Sequence, residues 1–409
     1  MNILFITHRF PYPPNRGDSI RSFHFLERFA AMGSVSLASL YDEEPSAEAR
    51  EALGKLCQNV VACRWGHKRR WFRAACALMN GKTMTEGLFF RHEFRNKLRK
   101  LVSRTQFDRI VVFCSSMFQY LSVLKGTRNE QTPVIMDLVD VDSQKWFDYA
   151  DKARGWKRLV FRTEGRRLRK LEIQIGNRCS ALLAVTPEET ALYKSFATGK
   201  IPDSLRIEAI PNGVKTDFFD PTLPELAAIP EIPHRLVFVG ALDYRANVGG
   251  VEWFVQNVLP PLRERFADCQ FDVVGSNPVA SLRQLAETEP GMNLIGTVPD
   301  VRPYLKRASV VVIPLQVARG LQNKVLEACA MARPTVVSPC AGEGIQRLTN
   351  DDFRVCAEPE EWVETLTRLF LSNEERAALA QHGQELAEQN YGWNAQLRKL
   401  ENVLEVVNR

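Results

Sequence analysis

PLQVARGLQNKVLEACAMARPTVVS occupies Pro314 to Ser338. The run before it, Val310–Ile313, is a short apolar strand that stops at a proline. A loop with Arg319 and Gly320 follows, and a helix is expected to begin near Leu321 or Gln322. Thr335–Val337 then return as a strand. The first N–H groups of such a helix lack partners within it, and its dipole adds partial positive charge, so that end suits a phosphate. Asn323 and Lys324 fall in the first turn, where they can supplement those groups. Glu327 lies three residues beyond Lys324, on the same helix face. A carboxylate there can accept hydrogen bonds from the two hydroxyls of a ribose. Plainer readings stay open: Glu327 and Lys324 as an exposed helical pair, and Arg319 as a loop charge.

The same grammar runs outward from this stretch. Leu236–Val239 ends at Gly240, Phe271–Val274 at Gly275 and Asn293–Ile295 at Gly296. Ligands of an open parallel sheet bind at the carboxyl ends of its strands, and glycine lets a ligand approach the backbone. One such glycine is weak evidence, whereas three at strand ends point to a nucleotide-like ligand. The first half opens with a strand, Ile3–Ile6, then a Pro/Gly-rich loop, then a helix expected over Ser19–Ala31 with Asp18 as its cap. Val35–Leu40, Ile110–Phe113, Val134–Met136 and Ala181–Val185 read as further buried strands. The expected fold is α/β, with two Rossmann-like doubly wound parallel-sheet domains facing across a cleft. Boundaries are placed at 1–221 for the first domain, 222–233 for a Pro-rich linker, and 234–380 for the second domain, with helices over 381–409 that cross back to the first.

Composition narrows the class. The 409 residues are 45% hydrophobic and 25% charged, ordinary for a globular chain, and no run of eighteen apolar residues is present to span a bilayer. The opening MNILFITHRFPYPP reads as a buried strand rather than a leader, and nine cysteines without a C-x-x-C pair fit a reducing, cytoplasmic setting. The net charge of +6 is unevenly spread: Arg64–Arg109 holds 13 Lys/Arg against three acids, and Lys152–Arg178 ten against two. His67, Lys68, Arg69, Arg70, Trp71 and Phe72 form a basic-aromatic cluster, and Leu98, Leu101 and Val102 lie among Arg95, Lys97, Arg99, Lys100 and Arg104. Basic flanks around apolar residues suit peripheral contact with an anionic membrane; solvated helix faces are the plainer alternative. Nothing matches a nucleic-acid-binding motif, so no nucleic acid is expected.

Four segments carry a resemblance. They are IPNGVKTDFFDP (Ile210–Pro221), FVGALDYRANVGGVEWF, NLIGTVPDVRPYLKRASVVVIPL and NKVLEACAMARPTVVS. Together they resemble retaining glycosyltransferases of the B fold (GT-B), the family-4-like group of bacterial polysaccharide and lipopolysaccharide transferases. The resemblance implies transfer of a sugar, with retention, from a nucleotide-diphosphate donor to a glycan acceptor, expected to be polyprenyl-diphosphate-linked, without a metal or other cofactor. It implies that Glu327 binds the donor ribose, that Asn323, Lys324 and Val325 approach the diphosphate, and that Thr297 and Val298 hold the base. Two departures stand out. The group commonly has two glutamates seven residues apart; the first falls on Arg319, which then reads a phosphate or an acidic sugar. The usual basic residue of the first donor loop has only Arg245 as a candidate. The loop DYRANVGG, with a D-x-D-containing segment DLVDVDSQKW, resembles a branch associated with exosortase-linked exopolysaccharide clusters, in which a D-Y-x-x-N loop accompanies a lysine before the glutamate.

In the first half, Gly17 and Arg21 are expected beside the donor phosphate, with Arg21 as a surface arginine the alternative. His8, Asp18 and Asp140 are placed on the acceptor side, with Asp140 a helper in catalysis beside Glu327, Lys324 and Arg319. Asp140-Val141-Asp142 matches D-x-D, a metal-holding pair in other transferases, but sits far in sequence from the donor signature and is read as acceptor-side or structural. Competing classes are a nucleotide-sugar epimerase, a phosphorylase, and a non-catalytic nucleotide-sugar-binding component of a polysaccharide assembly complex.

Overall fold

The computed structural model describes residues 1–14, 17–66, 70–318 and 321–406. The chain divides into two units: Met1–Pro211 with Leu397 onward, and Asn212–Gln396. In the first unit the strands are β1 (Asn2–Thr7), β2 (Ser34–Tyr41), β3 (Asn59–Arg64), β4 (Arg109–Phe113), β5 (Val134–Val139), β6 (Ala181–Ala184) and β7 (Arg206–Ala209). They form one sheet in the order β3-β2-β1-β4-β5-β6-β7, with every pairing parallel. The second unit holds β8 (Ile232–Val239), β9 (Gln270–Val274), β10 (Met292–Gly296), β11 (Ala308–Ile313), β12 (Thr335–Val337) and β13 (Arg354–Val355), in the order β10-β9-β8-β11-β12-β13 and again all parallel.

Both sheets are doubly wound. The order reverses between β1 and β4 in one and between β8 and β11 in the other, and at such a switch the strand ends diverge and leave a crevice. The central strands are buried on both faces, which explains their unbroken apolar runs: Ile3, Leu4, Phe5 and Ile6 in β1, and all of β11.

Three sequence expectations need correction here. Thr222–Pro233 is not a linker between units. It lies inside the second, where the short helix Pro224–Ala227 buries Leu226 in the core. Asp18 does not precede its helix, which runs Gly17–Met32, but stands in the first turn. The helix His92–Arg104 is amphipathic as read, yet Leu98 and Val102 are turned into the core of the first unit, so that stripe cannot meet a membrane. The final helix, Trp393–Val406, starts in the second unit and ends in the first. There Arg109 Nε donates to the Leu404 carbonyl at 3.0 Å and Arg28 pairs with Glu401 at 2.6 Å.

Candidate functional site

The three glycines meet at one end of the second sheet. Gly240 N donates to the Val274 carbonyl at 3.0 Å, and Gly275 N to the Gly296 carbonyl at 2.8 Å. The loops leaving β8, β9 and β10 are thereby laced together by backbone. A Cβ on Gly275 would overlap the Gly240 carbonyl oxygen, so glycine is required there for the loops to approach. A Cβ on Gly240 would stand 3.2 Å from Lys324 Nζ.

Lys324 belongs to the helix Asn323–Ala330, whose first residue follows Gln322. Its ammonium donates to Asn247 Oδ1 at 2.5 Å and lies 4.9 Å from the centre of the Phe238 ring. Asn247 is buried, and its amide donates in turn to the Ala241 carbonyl at 2.8 Å. The lysine is therefore aimed back over the loop after β8 by a single side-chain amide. Among the described residues no carboxylate stands within ion-pair distance of it. Burial pushes Lys324 down to about 8, against the upward pull of Glu327. One turn on, Glu327 is half-buried, and its carboxyl is pushed up to about 7 by burial, against the downward pull of Lys324. A desolvated cation and a carboxyl poised near neutrality, both at a helix N-terminus beside close-packed glycine loops, suit an anion carrying vicinal hydroxyls.

The remaining donor-side positions sort by exposure. Asn323 is half-buried and Val325 buried, the latter packed into the core. Thr297 is exposed just past Gly296, while Val298 packs against the core. Arg245 opens the helix Arg245–Asn257 and is exposed. Arg319 and Gly320 lie outside the described residues. Asn247 is the residue that the site assignment missed. Its signal was the D-Y-x-x-N loop, which the resembling branch pairs with a lysine before the glutamate; here Lys324 and Asn247 are joined by a hydrogen bond.

The first unit gathers its own polar residues at the carboxyl end of its sheet. Arg21 is not available to a phosphate: it is 1% exposed, its Nε donates to Asp137 Oδ2 at 2.6 Å and its Nη1 to the Ile210 carbonyl at 2.6 Å. It is a buried structural pair with a carboxylate that is itself fully buried. Breaking such a pair leaves an uncompensated charge. Arg21→Met is expected to destabilise the chain by about 3 kcal/mol in urea unfolding, with less lost when Asp137→Leu is added, because both charges are then gone.

Asp18 stands 3.0 Å from Arg9 and 3.4 Å from His8 Nε2. Burial works against its charge, but His8 and Arg9 hold the carboxyl down at about 2. His8 stacks on Phe113 with ring centres 5.8 Å apart. Gly17, at the head of that helix, has open space where a Cβ would be. Asp140 takes a hydrogen bond from Lys145 at 2.7 Å, and Asp142 accepts from Ser115 Oγ at 2.6 Å. Against the pull of partial desolvation, Lys145, which is exposed, is held well above its ordinary value by Asp142 and Asp140. An ammonium thus stands between the two D-x-D carboxylates. Among the described residues no three His, Cys, Asp or Glu come together as a metal-binding group.

Residues 233–372 match the family described as Glycosyl transferases group 1. No curated protein sequence matches the chain. Among solved structures, HepE from Anabaena in complex with UDP is 12% identical, with 99% of this chain and 100% of that one covered at a TM-score of 0.64. A glycosyltransferase from Rickettsia africae is 11% identical over 100% and 99% of the two chains, at 0.65. Sucrose-phosphate synthase from Thermosynechococcus elongatus is 14% identical, also over 100% and 99%, at 0.64. With both sheets matched over the full chain, the fold is that of the GT-B proteins: two doubly wound parallel-sheet domains.

Proposed function

We propose that the chain is a metal-independent, retaining glycosyltransferase. It moves a sugar from a nucleotide-diphosphate donor to a glycan acceptor carried on a lipid diphosphate, at the inner face of a membrane, in cell-surface polysaccharide synthesis. The observation that carries this reading is the Lys324–Asn247 hydrogen bond. It fixes a partly desolvated ammonium at the N-terminus of a helix, against the close-packed glycine loops that leave the strand ends. In this reading the diphosphate lies against the amide end of that helix, with Asn323 and Lys324 beside it and Arg319 as a further contact to a phosphate or an acidic sugar. Glu327 takes the ribose hydroxyls, and the segment at Thr297 and Val298 faces the base.

The chemistry follows from charge. Negative charge builds on the leaving diphosphate as the glycosidic bond breaks, and a cation already aligned there stabilises that change without reorganisation. The leaving phosphate oxygen can itself take the acceptor proton on the same face, so no strong protein base is required. Asp140 and His8, in the first unit, are the acceptor-side candidates. A match to the glycosyl transferase family across most of the second unit, and a HepE structure that holds UDP, support this choice over an epimerase or a non-catalytic binder.

A thermal-shift panel of nucleotides and nucleotide sugars tests it. UDP or a UDP-sugar is expected to raise the unfolding temperature by several degrees with EDTA present, since ligand at 100 times Kd adds about 2.7 kcal/mol. A shift that appears only with magnesium would overturn the metal-free reading, and no shift from any nucleotide would overturn the donor site.

A further inference from the structure

A second feature, in the first unit, is not used by the donor site. The helices Arg70–Met79, Met84–Phe89 and His92–Arg104 border a cavity of about 730 Å³. Arg73, Lys82, Arg91 and His92 line it, with Glu86 and Glu93 as its acids. Both acids are engaged elsewhere. Glu86 closes a capping box on Thr83, accepting from its N at 2.9 Å, and Glu93 pairs with Lys97 at 2.8 Å. The two arginines have no such partner: among the described residues no carboxylate lies within ion-pair distance of either. Arg73 reaches only backbone carbonyls, those of Gly66, Gly87 and Leu88, at 3.3–3.4 Å. Burial, with a smaller contribution from the neighbouring charge of Arg91, lowers the pKa of Arg73. Two guanidiniums that repel each other at the wall of a cavity are arranged for an anion.

The same helix carries an exposed apolar stripe. At 100° per residue, Trp71, Phe72, Ala75 and Met79 fall on one side, and Arg73, Cys76, Ala77 and Asn80, which line the cavity, fall on the adjoining one. Trp71 is 62% exposed, Phe72 68% and Met79 79%. The helix Trp156–Arg178 is tied to this region, with Glu164 accepting from Met84 N at 2.6 Å and Arg167 donating to the Lys82 carbonyl at 2.8 Å. Its first turn exposes Trp156 and Leu159 beside Lys157, Arg158 and Arg162. Large aromatic side chains held in water next to cations are the composition of a surface that enters the headgroup layer of a bilayer.

We propose that this cavity and stripe are one lipid-binding surface: Arg73 and Arg91 hold the phosphate of an anionic lipid while Trp71, Phe72 and Met79 enter its apolar layer. The inference deepens the membrane placement proposed above by giving it residues, and it does not depend on the donor site. Cosedimentation of the full chain with vesicles tests it. Binding is expected to phosphatidylglycerol/phosphatidylcholine vesicles and not to phosphatidylcholine alone. R73Q/R91Q is expected to weaken that binding several hundredfold, because charge-assisted hydrogen bonds to the phosphate are lost along with the charges, and K157Q/R158Q no more than about thirtyfold, since each surface cation contributes about fivefold by charge alone. W71S/F72S is expected to abolish insertion, read as loss of the blue shift in tryptophan fluorescence from the remaining exposed Trp156.

Equal loss in the two charge variants would reduce the effect to general attraction and overturn the phosphate site. Inorganic pyrophosphate that binds the chain through Arg73 and Arg91 without any vesicle binding would assign the cavity to a free phosphate and overturn the lipid. Self-association abolished by W71S/F72S, again without vesicle binding, would assign the face to a second copy. The thermal shift with UDP, measured on each variant, reports that the chain has folded. Its absence from a chain that still binds vesicles would sink the donor reading and leave this one standing.

Discussion

Glu327→Ala is expected to lower kcat/KM for the donor about 150-fold while leaving the urea midpoint almost unchanged. A carboxylate that accepts two ribose hydroxyls makes two hydrogen bonds to a charged group, each about 1.5–3 kcal/mol, and the lower end of that range already gives the figure. The fold should tolerate the change. Glu327 is half-buried in a helix that favours alanine, and no hydrogen bond among the described residues engages its carboxylate. Glu327→Gln separates charge from shape: it keeps an acceptor oxygen and is expected to lose about tenfold. Transfer by Glu327→Ala within a few-fold of the parent would remove Glu327 from the donor site.

Lys324→Met is expected to cost about 100-fold or more in kcat, the usual effect of deleting one preorganised charge from a leaving-group site. The pH profile gives this prediction its signature. Lys324, pushed down to about 8, loses its proton and its grip on the diphosphate as pH rises through that value. Glu327, pushed up to about 7, gains a proton and loses its capacity to accept as pH falls through that value. In the parent chain kcat/KM should therefore peak between the two. The basic limb is expected to vanish in Lys324→Met. In Glu327→Ala it should move to lower pH, because the carboxylate that raises the lysine is gone. Once donor is bound, the diphosphate restores the lysine's charge, so the basic limb of kcat should lie above that of kcat/KM. A basic limb unmoved in either variant would mean that another group titrates there.

How far the sequence carries the reader depends on where each interaction partner lies. Central strands were legible because burial on both faces demands unbroken apolar runs. β3, β7 and β13 were not, and all three are at sheet edges, where half-exposed residues such as Arg206 and Glu208 pair with each other at 2.9 Å instead of packing. The glycine turns and the helix N-terminus of the donor side were legible because each is local. Arg21 was misread because its partner Asp137 is 116 positions away and nothing near Arg21 reports it. Asn247 was visible as a motif but lacked a role until Lys324, 77 positions on, was seen bonded to it. The helix His92–Arg104 shows a subtler limit: periodicity reveals that one face is apolar but not what that face meets.

The return of the last helix to the first unit has a consequence during synthesis. Residues up to Pro211 leave the ribosome long before Leu397, Leu400 and Val403, which complete that unit's packing, and at about 5–20 residues per second the delay is roughly ten seconds or more. Throughout that interval Arg109 lacks the Leu404 carbonyl and the seat of the helix is bare. A gene fragment that stops at Pro211 would hold the nascent chain in that unfinished state permanently, so a soluble stand-alone version of the first unit would need the terminal helix grafted back onto it.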